Sequence, residues 1–133
     1  MREALFVDTG YVIALINEND QHHARALALS QRYEDHPLVT TDAVLLEIGN
    51  ALSRIARREA TQVLHYFLHA DEVTVVQLTP ERFNRALNLY DRYQDKSWGR
   101  VDCLSFEVMR ERGLFTALTF DHHFTQAGYQ RPD

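Results

Sequence analysis

The chain has 133 residues, a formal net charge of −5 and 45% hydrophobic residues, which fits a single soluble globular domain over 1–133. No apolar run approaches the ~20 residues of a membrane span, and the single cysteine, Cys103, excludes an internal disulfide and a cysteine-type zinc site and fits a reducing cytoplasm. The acidic balance argues against nucleic-acid binding, unless metal on clustered carboxylates or a local arginine patch reverses the field.

Residues 4–7 form a short apolar run that reads as a buried strand and ends on Asp8. No cleaved leader is expected before it. Residues 9–16 read as a short helix, 17–21 as a polar break and 22–33 as a second helix. Residues 37–41 read as a second strand, with Thr41 or Asp42 capping the next helix. That helix carries an apolar stripe of Val44, Leu45, Ile48, Ala51, Leu52 and Ile55. Residues 59–70 read as a further helix and 73–78 as a valine-rich strand. Pro80 opens a helix to about Gln94. After a break at 95–99, residues 101–112 are helical and stop at Gly113. Residues 115–120 form a last strand, ending on Asp121. The alternation of strands and helices predicts a three-layer α/β/α fold around a parallel sheet of four to five strands.

In such a sheet, ligands bind beyond the carboxyl ends of the strands, where Asp8 and Asp121 emerge. Glu47 lies on the flank of its helix's apolar stripe, placed to point into the seam between helix and sheet. Asp102 lies in the first turn of its helix, where negative charge is favoured. The four acids are predicted to share one cleft, with a hard divalent cation, Mg²⁺ or Mn²⁺, removing their repulsion. Taken singly, Asp8 and Asp121 also read as caps, Glu47 as a surface acid and Asp102 as a first-turn charge.

The motifs Phe6-Val7-Asp8-Thr9-Gly10, Thr40-Thr41-Asp42-Ala43-Val44-Leu45-Leu46-Glu47, Val101-Asp102-Cys103-Leu104-Ser105-Phe106 and Leu118-Thr119-Phe120-Asp121-His122-His123-Phe124 occur in the order and spacing of a known family. The chain resembles PIN-domain ribonucleases, in particular the VapC-type toxins of VapBC toxin–antitoxin pairs. The resemblance implies Mg²⁺- or Mn²⁺-dependent endonucleolytic cleavage of RNA. Asp8 and Asp102 would hold the ion, Glu47 and Asp121 would complete or orient its ligand shell, and Thr9 would support it. It also implies products with 5′-phosphate and 3′-hydroxyl ends, a homodimer, and a small cognate antitoxin that masks the cleft. Gly99 and Val101 stand where the family often has a Ser and a Thr, and any final edge strand would be short or absent. An antitoxin-free RNA or DNA processing nuclease and a catalytically inactive nucleic-acid-binding module are the alternatives. An aspartyl phosphatase would need a second aspartate where Gly10 stands.

Glu47, Asn50, Arg54 and Arg58 share one side of a helix if it continues that far, a possible guide for an RNA backbone. His122 and His123 read as exposed turn residues, with RNA contact or proton transfer as the alternative. His65 and His69 have a metal-pair spacing but no third ligand. Asp95 reads as a loop acid, Trp98 as packing at the mouth of the cleft, and Tyr11 as a core residue or a base-stacking ring.

Overall fold

The computed structural model describes residues 2–132. In chain order the elements are β1 (Leu5–Val7), α1 (Thr9–Ile16), α2 (His23–Arg32), β2 (Leu38–Thr41), α3 (Asp42–Leu52), α4 (Arg57–His69), β3 (Val73–Val76), α5 (Pro80–Arg92), α6 (Arg100–Arg112), β4 (Ala117–Leu118) and α7 (His123–Gln126). The four strands make one sheet in the order β3-β2-β1-β4, and every pairing is parallel. This is the expected three-layer α/β/α arrangement. Beyond β4, Thr116 forms a single parallel bridge with Gln130, so the final edge strand is reduced to one bridge.

β1 lies in the middle of the sheet with Leu5, Phe6 and Val7 fully buried. A central strand covered on both faces needs this continuous apolar run. Helix α6 is buried at seven consecutive residues, Cys103 to Met109. That burial includes Glu107, whose carboxylate pairs with Arg110 at 2.6 Å and Arg85 at 3.7 Å, as a buried charge requires. Phe124 of α7 is fully buried. Its ring meets Phe106 edge-on at 4.9 Å and lies 6.1 Å from Phe6, which ties the short α7 to the sheet and to α6.

Several boundaries differ from expectation. Helix α3 stops at Leu52, so Ile55 is 65% exposed rather than part of its stripe. Ser53 turns its hydroxyl back to the Asn50 carbonyl at 3.1 Å, a local bond that competes with helix continuation. Arg54 therefore lies in a turn and Arg58 in the first turn of α4, and the predicted single arginine face does not form. β4 is shorter than the predicted 115–120 because Thr119 leaves the ladder to bind two of the acids, as described below.

Candidate metal centre and active site

Asp8 follows β1 at the N-cap position of α1, yet its side chain makes no capping bond. The capping role available to it is unused. Instead Asp8 Oδ2 accepts a hydrogen bond from Thr119 Oγ1 at 2.7 Å. The same hydroxyl oxygen accepts from the Asp121 backbone N–H at 3.0 Å. Thr119 thus links the first acid to the fourth, a role the sequence reading did not assign. Its position two residues before an acid at a strand end was the available signal.

Asp8 is only 7% exposed. Burial pushes its carboxyl pKa up to about 6, and the nearby charges of Asp102 and Asp121 push the same way. The Thr119 hydroxyl and the Thr9 backbone oppose the shift without cancelling it. A carboxylate in this position is costly to ionise unless positive charge arrives.

Glu47 is exposed and accepts from Thr9 Oγ1 at 2.6 Å through Oε1. It therefore meets the start of α1 rather than the seam with the sheet, because it sits on the flank of α3 that faces α1. Thr9 is placed as the supporting hydroxyl. Asp102 Oδ2 accepts from the Gly99 backbone N–H at 3.1 Å, half of a capping box at the start of α6. The glycine in place of a family hydroxyl residue still supports the acid, through its backbone.

Asp121 Oδ1 accepts from the His123 backbone N–H at 2.9 Å. His123 Nδ1 lies 3.1 Å from Asp121 Oδ2 and 3.0 Å from Asp102 Oδ2. The reading of His123 as an exposed turn residue is therefore corrected. Its side chain is 14% exposed, whereas that of His122 is 66% exposed. The buried Phe124 next to it draws His123 inward.

Asp8, Glu47, Asp102 and Asp121 line one open cleft of about 460 Å³, with Thr9, Phe120 and His122 at its rim. No lysine or arginine is among the lining residues. Trp98 does not line it. Its ring packs 5.0 Å from both Tyr93 and Phe106, and its Nε1 donates to Gln126, which corrects its placement at the mouth. Tyr11 is buried beside Phe120 and is a core residue. Asp95 pairs with Lys96 in its loop, and His65 and His69 stack on each other on α4.

The cleft offers carboxylate oxygens from two helices, α3 and α6, and from the segments that follow two strands, β1 and β4, with one acid buried. That donor set suits a hard oxygen-seeking divalent cation. Asp121, His122 and His123 also bring one potential ligand atom each within 4.8 Å of one another.

A family model described as PIN domain matches residues 5–128. Among curated proteins, the "23S rRNA-specific endonuclease VapC20" of Mycobacterium tuberculosis is 30% identical over 127 residues, covering 94% of this chain and 95% of that protein. The crystal structure of M. tuberculosis VapC20, described as a sarcin-ricin loop cleaving toxin, superposes with a TM-score of 0.84 at 29% identity, covering 95% of this chain and 96% of that one. FitAcB from Neisseria gonorrhoeae has a TM-score of 0.63 at 14% identity, covering 97% and 96%, a likeness of fold.

Proposed function

The chain belongs to the PIN domain family, and from that premise we propose that it is a divalent-metal-dependent endoribonuclease, the toxin of a toxin–antitoxin pair. The observation that carries this reading is the cleft itself: four carboxylates, one of them buried, with no lysine or arginine among the lining residues. RNA is a polyanion, so such a cleft accepts it only after a cation has reversed the local sign.

Asp8 and Asp102 hold the ion, and Glu47 and Asp121 complete or orient its surroundings, directly or through water. Mg²⁺ or Mn²⁺, when bound, lowers the pKa of a water and polarises the scissile phosphate. The protein's own contribution is to keep the acids in place. Thr119 holds Asp8 and the backbone of Asp121, Thr9 holds Glu47, and the Gly99 N–H holds Asp102. Hydrolysis forms a bond from water oxygen to phosphorus and breaks the P–O3′ bond, which leaves 5′-phosphate and 3′-hydroxyl ends.

Ribosomal RNA is the first substrate to test, given the named substrate of the 30%-identical relative. Purified protein should cut rRNA in Mg²⁺ or Mn²⁺ and not in EDTA. Expression in cells, followed by mapping of new 5′-phosphate ends, should reveal a small set of sites. The absence of new ends in cells and of metal-dependent cutting in vitro would overturn the proposal.

An antitoxin for this site is a small protein that places a basic side chain among the acids, in the position the metal would otherwise take. The homodimer uses the apolar face formed by α3, α5 and α6. There Phe83, Leu87 and Leu78 are 49%, 45% and 42% exposed around a small apolar depression shared with Ala43 and Val101. Leu46, one turn along α3 from Ala43, is 71% exposed. Contiguous exposure of this kind marks an association surface. Light scattering should give a dimer for the wild type and a monomer for Phe83→Glu combined with Leu46→Glu. An unchanged mass in the double variant would remove this face from the interface. Among the described residues, no helix is long and apolar enough to cross a membrane.

A further inference from the structure

His123 contacts two of the four acids with one ring nitrogen. Counting donors oxygen by oxygen shows what this does. Asp121 Oδ1 accepts from the His123 backbone N–H, and its Oδ2 lies 3.1 Å from Nδ1 in close contact. Asp102 has Oδ2 engaged twice, by the Gly99 N–H and by His123 Nδ1. Among the described residues, Asp102 Oδ1 and Glu47 Oε2 accept no hydrogen bond. The ring is itself fixed: Nε2 lies 3.0 Å from Ser97 Oγ, and the neighbouring Phe124 is fully buried.

We propose that His123 is a positioning residue whose Nδ1–H donates to Asp102 while its ring and backbone N–H lie against Asp121, holding Asp121 as an outer carboxylate and leaving Asp102 Oδ1 as that side chain's oxygen for the divalent ion. The inference rests on the metal-site reading above. Carboxylate oxygens only accept, so a ring nitrogen within 3.1 Å of two of them carries its proton. Ser97 then serves Nε2 as the ring's second partner. A polarised N–H between the two carboxylates offsets their repulsion before metal arrives, so binding needs little reorganisation. The competing role is His123 as a nitrogen ligand, beside Asp121 and His122. That role needs Nδ1 without its proton, gives up both carboxylate contacts, and suits zinc-type rather than magnesium-type ions.

Two measurements test this. In metal-free wild-type protein, ¹⁵N NMR of the histidine rings should show His123 Nδ1 protonated. In calorimetric Mn²⁺ titrations, His123→Leu should weaken binding by about 10- to 100-fold, the usual cost of losing a residue that orients a metal ligand. His123→Asn, whose amide nitrogen can occupy the Nδ1 position, should stay within about threefold of the wild type. His123→Gln, whose amide reaches the Nε2 position, should resemble His123→Leu. The inference is overturned by an unprotonated Nδ1, by unchanged Mn²⁺ affinity in His123→Leu, or by His123→Asn failing to rescue while Zn²⁺ binding suffers more than Mn²⁺ binding. If the wild type binds no Mn²⁺, the metal-site reading itself fails and takes the inference with it, an outcome distinct from any variant effect.

Discussion

Asp8→Asn should lower metal-dependent RNA cleavage by at least about a thousandfold, the scale expected when a group needed in the transition state is removed. Asparagine keeps the size of the side chain and an oxygen to accept from Thr119, so the fold should persist. What it removes is the charge of the most buried acid in the cleft. A neutral amide is a poor ligand for a hard dication that must also displace water. The check is initial-rate cleavage of rRNA across a Mg²⁺ and Mn²⁺ series, beside circular dichroism of the variant. Near-wild-type rates at any metal concentration would mean that Asp8 is not in the machinery.

The same substitution should make the metal-free protein more stable at neutral pH. Asp8 has a pKa near 6 in the folded chain against an ordinary value of 3.8. Between those values the folded state binds more protons than the unfolded state, so stability falls as pH rises through this window. The buried charge is half present near pH 6 and nearly complete about one unit above it. A shift of this size corresponds to roughly 2–3 kcal/mol. Asp8→Asn relieves that cost, so in EDTA it should exceed the wild type by about that amount at pH 7.5. The two proteins should converge near pH 4. Urea denaturation at a series of pH values measures the difference. Adding Mg²⁺ should stabilise the wild type according to its affinity and leave the variant unchanged. A variant less stable than the wild type in EDTA at pH 7.5 would contradict the placement of Asp8 in a buried acidic cluster.

Much of this site was legible in the sequence because short-range signals specify it. The run Leu5-Phe6-Val7 reads as a covered strand, which puts Asp8 at its end. Glu47 was readable from its place on the flank of an apolar helical stripe, and Asp102 from its place in the first turn of its helix. The parts that were not legible depend on contacts between elements distant in the chain. Nothing local says that Thr119 abandons its strand, since the reason is a hydroxyl reaching Asp8, 111 residues away. Nothing local says that Ile55 ends up in solvent, since an unbroken apolar period hides the stop at Ser53. His123 looked like turn chemistry, and part of that reading is right, because its N–H does close a turn onto Asp121. Its inward tilt follows from where Phe124 packs, which only the assembled core decides. The burial of Glu107 was only partly legible: Arg110, three residues on, is a local partner, while Arg85 comes from α5.

Helix α6 has a further consequence for timing. With seven consecutive residues buried, its buried backbone is expected to exchange with solvent mainly through opening of the whole domain. Asp102 lies in its first turn, directly before that buried run, and is held there by the Gly99 N–H and His123. His123 ties Asp121 to that same helix. The proposed metal site is therefore expected to be held in one arrangement in the folded chain. On the function proposed above, restraint of the activity comes from a partner that fills the cleft rather than from relaxation of its shape.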